Sequence, residues 1–165
     1  MAVYTFRPAR ASDLTAIVHF PVSEEELFYF FPSARYPLSL SQLEQQLKQR
    51  YHSTVMLENN QVIGFANFYN VKNHQIAFIG NVIIKPKKRS QGLGKKLLTT
   101  MISHAFQQLQ LKEIHLSCYN SNTRALIFYT QLGFQPYAIE QRMTSHKQPV
   151  ALLHLRLKNQ QGKVN

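Results

Sequence analysis

The stretch Val82-Ile-Ile-Lys-Pro-Lys-Lys-Arg-Ser-Gln-Gly-Leu-Gly-Lys-Lys-Leu97 constrains this chain more than any other. It joins an apolar, strand-like run closed by Pro86 to an amphipathic helical run in which Leu93, Leu97, Leu98, Met101, Ile102, Ala105, Phe106 and Leu109 share one face. The segment contains Gly92, Gly94 and six bases (Lys85, Lys87, Lys88, Arg89, Lys95, Lys96), with no acid. Such a loop suits a pyrophosphate. Glycines let the backbone approach closely, the N–H groups of a helix N-terminus point at the anion, and the helix dipole adds favourable charge. Two familiar phosphate loops are excluded: a P-loop requires GxxxxGK[ST], and a dinucleotide fold requires GxGxxG near the chain start with an acid after the next strand.

Periodicity fills in the rest. Tyr4 to Arg7 alternates as a strand and stops at Pro8, and Ser12-Asp13 caps a short helix with Leu14, Ile17 and Val18 on its apolar face. Ser23 and Glu26 have capping-box spacing for a second helix, which carries Leu27 to Phe31 and ends near Pro32. A third helix is expected over about residues 41–50, with Leu43 and Leu47 on one side. From Ser53 the pattern turns to strands over 54–57, 62–69 and 76–84, separated by turns at Asn59-Asn60 and Lys72-Asn-His74. Beyond the long helix, 114–118 reads as a strand, 123–131 as a helix with Gly133 as its C-cap, and 134–143 and 150–157 as final strands. Strand, helix, strand, helix, strand in the middle predicts parallel pairing there, hence an α/β (α+β) domain. One domain is expected over 1–165, with its ordered core at about 3–158 and a tail at 159–165.

Composition narrows the function classes. Hydrophobic residues make up 44% of the 165 and aromatics 12%, enough for a packed core. Up to residue 58 there are six acids against five bases; from residue 59 onward only Glu113 and Glu140 stand against fourteen bases. That field attracts a polyanion, whether nucleic acid, acidic membrane or phosphorylated small molecule. No run approaches the ~20 apolar residues of a membrane span, and the N-terminus lacks a secretory apolar stretch, so a cytoplasmic protein with no membrane partner is expected. The single cysteine, Cys118, excludes an internal disulfide and a multi-cysteine zinc site, and seven histidines without HExxH spacing argue against a metal. Cys118 reads as a packed strand residue, and lone histidines, including His115 and His154, read as structural.

The loop also carries a resemblance. Arg89-Ser-Gln-Gly92-Leu-Gly94 resembles the Q/R-x-x-G-x-G/A signature of the GNAT N-acetyltransferases, and Asn122-Thr-Arg-Ala125-Leu-Ile-Phe-Tyr129-Thr-Gln-Leu-Gly133-Phe134 resembles that family's later N-x-x-A-x-x-F-Y-x-x-x-G-F stretch. The resemblance implies one GNAT-like domain with a central mixed sheet of six to seven strands, splayed strands 4 and 5, and helices on both faces. It implies acetyl-CoA as co-substrate and direct attack of a primary amine on the thioester in a ternary complex. Carried onto this chain, Val82, Ile83 and Ile84 would contact the pantetheine arm, and Arg89, Ser90, Gln91, Gly92, Leu93, Gly94 and Lys95 the phosphates. The Ile84 N–H would donate to the thioester carbonyl, Asn122 would bond the pantetheine arm, and Tyr129 would act as general acid to the leaving thiolate. Family members are often dimers, which leaves a homodimer open.

A general base is not evident. An alkylammonium has a pKa near ~10.4 and must lose a proton before it attacks. By the same resemblance, the ribosomal-protein branch of the family has a glutamate where this chain has Ser117, and the other common carboxylate position falls at Gly80-Asn81. Glu24, Glu25, Glu26, Tyr36 and His74 are candidates, and a water-relayed path is the preferred expectation. Two other readings stand beside the enzyme: a nucleic-acid- or ribosome-associated module, disfavoured because the loop already accounts for six of the fourteen later bases, and a non-catalytic CoA sensor.

Overall fold

The computed structural model describes residues 2–160. The chain forms a seven-stranded sheet in the order β1-β2-β3-β4-β5-β7-β6. It divides into two compact units, one running to Tyr69 and resuming over Ile79–Ile102, the other made of Asn70–Phe78 and the chain from Ser103 onward.

In the first unit, β1 (Tyr4–Pro8), β2 (Tyr51–Glu58) and β3 (Gln61–Lys72, of which the segment to Tyr69 belongs here) pair antiparallel in series, followed by the later half of β4 (Ile76–Ile84). The β2–β3 turn places Asn59 and Asn60 at φ 49° and 64°, the pair of positive values that a tight primed hairpin turn needs. One sheet face packs on α1 (Leu14–Ile17), α2 (Glu24–Phe30) and α3 (Leu40–Leu47), through Ile17, Leu27, Phe30, Leu43, Val55, Phe65 and Ile83. The other face packs on α4 (Leu93–Ser103): a Cβ on Gly64 would lie 2.9 Å from Ile84 Cδ1 and 3.5 Å from Leu97 Cδ2. Helices therefore cover both faces, as expected.

Capping decides the helix starts. Ser23 Oγ accepts the Glu26 N–H at 3.1 Å, whereas the Glu26 carboxylate reaches back one residue further than a capping box, to the Val22 N–H at 3.0 Å. Before α1, Asp13 stands in a short 3₁₀ turn (Ala11–Asp13), accepts the Arg10 N–H at 2.7 Å and receives the Arg7 guanidinium bidentately at 2.7 and 2.9 Å. α3 stops at Leu47 instead of reaching residue 50, because its last bonds tighten to Gln49 N–H on Gln46 O and Arg50 N–H on Leu47 O. That turn releases Arg50 to lie over Tyr69, its guanidinium carbon 4.3 Å from the ring centre.

In the second unit, β4 (Ile76–Phe78), β5 (Glu113–Tyr119), β7 (Pro149–Lys158) and β6 (Gln135–Met143) lie in that order, with β4 and β5 parallel and the later pairs antiparallel. The predicted single helix to Leu109 is not continuous: after Ser103, His104–Gln108 winds wider, with Leu109 N–H bonding His104 O at 3.1 Å. The wide turn keeps Ala105 buried and lets Leu111 N–H reach the Ala105 carbonyl at 3.0 Å. α5 (Thr123–Gln131) ends at Gly133, whose φ of 96° makes the expected left-handed cap. Asn159, expected to begin a tail, is held by bonds to Lys112 O and Leu111 O at 2.8 and 3.2 Å; residues 161–165 lie outside the described residues.

Candidate functional site

The basic loop is built from β4 outward. Pro86–Lys88 forms one 3₁₀ turn, Arg89 is extended, and Ser90 and Gly92 take φ 61° and 74°. At Gly92 the positive φ asks for glycine, and a Cβ there would meet no atom within 4 Å, so the backbone at this point is open on its outer side. Lys96 N–H makes the first bond of the α4 ladder, to Gly92 O at 3.2 Å. The N–H groups of Leu93, Gly94 and Lys95 therefore precede the ladder and point outward from the helix start, the arrangement that receives an anion.

The six bases do not act alike. Lys88 pairs with Glu58, which raises its pKa, and Lys96 stands 5.6 Å from the Tyr4 ring centre. Arg89 donates from Nε to Ile84 O at 3.0 Å, from Nη1 to Glu26 at 2.5 Å and from Nη2 to Phe20 O at 2.9 Å. Its guanidinium thus joins the end of β4 to α2 and to the segment before it. Lys85, Lys87 and Lys95 make no ion pair among the described residues and supply the loop's uncompensated charge. Along β4, Ile83 is buried in the core while Val82 and Ile84 are half-buried. Ile83 can therefore offer a ligand only its backbone.

Gly80 and Asn81 interrupt the regularity of β4. Asn81 sits at φ 49°, donates from Nδ2 to Phe30 O at 2.8 Å and accepts from Asn67 Nδ2 at 3.0 Å; both side chains are buried. Gly80 has ordinary backbone angles, and packing rather than conformation excludes a side chain there: a Cβ would lie 2.6 Å from Arg50 Nη1.

In the second unit, Asn122 caps α5, accepting the Ala125 N–H at 3.4 Å, while its Nδ2 donates to nothing among the described residues. Tyr129 is half-buried on α5, its ring 5.6 Å from Phe128 and 6.2 Å from Phe134. Cys118 is buried and its thiol is pushed up to about 12 by that burial, which removes it as a nucleophile at neutral pH.

The expected base candidates stand in different settings. For Glu26, burial works against the charge, but the bonds from Arg89 and from the Val22 N–H outweigh it and hold the carboxyl below its ordinary range. Glu24 and Glu25 stand in the first turn of α2, Tyr36 donates to Val22 O at 3.3 Å, and His74 occupies a turn position at φ 56°.

A polar cluster escaped the sequence reading. On one face of the β5–β7–β6 sheet, Ser117 Oγ and His154 Nδ1 lie 2.7 Å apart, and His154 Nε2 is 3.6 Å from Glu140. Beside them His115 bonds the Tyr137 hydroxyl at 2.7 Å and Glu113 at 2.9 Å. Residues 113, 115 and 117 share a face by strand period, as do 154 and 156 on β7. What could not be read was the register that sets Ser117 opposite His154.

Comparison with known proteins adds the family. A family model described as "Acetyltransferase (GNAT) family" matches residues 19–134. A spermine/spermidine N(1)-acetyltransferase of Bacillus subtilis is 33% identical over 64 residues, covering 39% of this chain and 41% of its own length. A [ribosomal protein bS18]-alanine N-acetyltransferase of Haemophilus influenzae is 34% identical over 103 residues, covering 59% of this chain and 64% of its own length. The chain thus aligns with less than two thirds of each of these relatives. Among solved structures, a Vibrio cholerae spermidine N-acetyltransferase in complex with CoA and spermine shares the fold with a TM-score of 0.79 at 19% identity, covering 94% of this chain and 95% of that one.

Proposed function

Because the chain belongs to the GNAT acetyltransferase family, we propose that it transfers the acetyl group of acetyl-CoA to a primary amine by direct attack on the thioester. The observation that carries this reading is the loop after β4: an open backbone at Gly92, unladdered N–H groups at the start of an eleven-residue helix, and three uncompensated lysines. That chemistry fits a pyrophosphate.

In the first unit, the N–H groups of Gln91 to Lys95 and the Lys95 ammonium would hold the phosphates, and the backbone of Val82, Ile83 and Ile84 the pantetheine arm. Ser90 and Arg89 shape the loop, Arg89 through its side-chain bonds and not by offering its guanidinium to phosphate. The Ile84 N–H is proposed as the donor to the carbonyl oxygen, where charge develops on attack. In the second unit, the unused Nδ2 of Asn122 is proposed to bond the pantetheine arm and the Tyr129 hydroxyl to protonate the leaving thiolate. The acceptor is a primary amine of a small molecule or a peptide. Glu24 and Glu25 leave the N-terminal helices slightly acidic, which suits a cationic amine, as in the Vibrio cholerae neighbour crystallised with spermine. The proposed setting is cytoplasmic; no helix among the described residues is long and apolar enough to cross a membrane.

Thermal unfolding with millimolar acetyl-CoA tests the reading. Ligand at a hundred times its Kd adds about 2.7 kcal/mol, which at roughly 2–4 °C per kcal/mol raises Tm by about 5–11 °C. A Gly92→Val, Lys95→Glu variant should lose most of this shift. No shift in the unaltered protein would refute the reading, and salt-dependent nucleic-acid binding that survives saturation with CoA would support the binding-module alternative instead.

A further inference from the structure

From residue 59 to the C-terminus the chain has two acids, Glu113 and Glu140, and each is set against a histidine on the same face of the second unit's sheet. Acids this scarce could have offset any of fourteen bases. Each has an arginine partner, Arg156 for Glu113 and Arg142 for Glu140, and each also stands beside a histidine: Glu113 bonds His115 at 2.9 Å, and Glu140 lies 3.6 Å from His154.

The two chains differ in kind. His115 has both ring nitrogens engaged, by Tyr137 and Glu113, and its side chain is 9% exposed, so it is closed on itself. The His154 chain is open at one end. Glu140 lies on the Nε2 side at 3.6 Å and favours the tautomer with hydrogen on Nε2, which leaves Nδ1 to accept the Ser117 hydroxyl proton at 2.7 Å. A serine hydroxyl has one donor and two acceptor positions. With its donor spent on His154, Ser117 presents acceptor lone pairs, and it is half-buried and bonded to no other described group. The arrangement is a hydroxyl bonded to an imidazole, with a carboxylate paired to Arg142 standing 3.6 Å behind the ring.

We propose that the Ser117–His154–Glu140 chain removes the proton from the acceptor amine; the inference rests on the acetyltransferase reading above. The acceptor ammonium gives one proton to Ser117 Oγ as the Ser117 hydroxyl passes its own to His154 Nδ1, leaving a neutral amine and an imidazolium facing Glu140. The amine lone pair then forms the N–C bond to the thioester carbonyl, the C–S bond breaks, and the second nitrogen-bound proton ends on the CoA sulfur. His154 returns its proton to solvent. The balance is ammonium plus acetyl-CoA giving amide, CoA thiol and one released proton, with no further reactant. His154, expected to be structural, takes a catalytic part under this proposal.

The groups facing His154 come from β4, β5 and β6. They are Phe78 on β4, Ser117 and the neighbouring His115 on β5, and Tyr137 and Glu140 on β6, with Arg142 bonded to Glu140 and Arg156 over the Tyr137 ring. The test uses spermidine and an alanine-initiated peptide as acceptors, with CoA thiol release followed from pH 5.5 to 9.5. In the unaltered protein kcat/KM should rise with pH on the acid side of its profile. His154→Gln should lower kcat by about a hundredfold or more and remove that limb. Ser117→Ala, which removes one half-buried hydroxyl and should fold normally, should lower kcat in the same way, and both variants should keep the Tm rise with acetyl-CoA. If either acceptor turns over and both variants retain kcat and the pH limb, the proton wire is wrong and the enzyme reading stands. If neither acceptor turns over although acetyl-CoA raises Tm, the transferase reading fails for these amine classes, and the inference falls with it.

Discussion

Gly80 offers a sharp test of how the first unit packs. An alanine methyl there would lie 2.6 Å from Arg50 Nη1 and 2.9 Å from both Cδ1 and Cε1 of Tyr69, distances at which something must move. Arg50 is held on the Tyr69 face at 4.3 Å and accepted by the Gln46 amide oxygen at Nε, 3.3 Å, while Nη1 is buried without a partner. Overpacking a filled site costs about 1–3 kcal/mol, and displacing the cation from the ring a further ~0.5–2. Burial already disfavours the Arg50 charge, so its release toward water returns part of that cost. The expected net loss for Gly80→Ala is about 1–2 kcal/mol, or roughly 2–8 °C in Tm for a chain of this size. The measurement is a double-mutant cycle with Arg50→Ala by urea unfolding. Removing the guanidinium clears the nearest clash, so the double variant should be more stable than the sum of the single losses by about 1 kcal/mol. A Gly80→Ala protein within ~0.3 kcal/mol of the parent, or strict additivity in the cycle, would refute the steric account.

Two further outcomes follow from charge and burial. The bidentate Arg7 bond, against the opposing effect of burial and helped by the Arg10 N–H, depresses the Asp13 pKa; its stabilising effect is therefore full above the unfolded value near ~3.9 and fades as pH falls through the lower folded value. Asp13→Asn should be clearly less stable than the parent in urea at pH 7, with the difference shrinking below pH 4; equal gaps at pH 7 and pH 3 would contradict the assignment. Cys118, with its thiol raised to about 12, should react with Ellman's reagent at pH 8 only upon unfolding, and rapid labelling of the native protein would show the strand more open than described.

The elements were largely legible because period and punctuation agreed. β4 and α5 match their sequence limits at Ile76–Ile84 and Thr123–Gln131, where a Pro or Gly follows within two residues. Boundaries slipped where backbone bonding changed pitch without a sequence signal, as at the wide turn after Ser103 and the tightened end of α3. The loop proposed to hold phosphate was legible as backbone, since glycines and a helix start are visible as letters. Side-chain destinations were not. Nothing in the letters of the loop distinguishes Arg89, bound inward, from Lys95, left outward, and nothing in β7 reveals that His154 meets Ser117, because those facts depend on partners 63 and 37 residues away.

The Arg89 bonds also set a rule of inheritance for this chain. Its guanidinium joins the loop after β4 to α2 through Glu26 and to the preceding segment through Phe20 O, so loop and helix behave as one jointed part. Grafting a different helix in place of α2 would strand that guanidinium half-buried unless the graft brought its own carboxylate at position 26. Residues 26 and 89 are therefore a matched set, to be exchanged together or left alone.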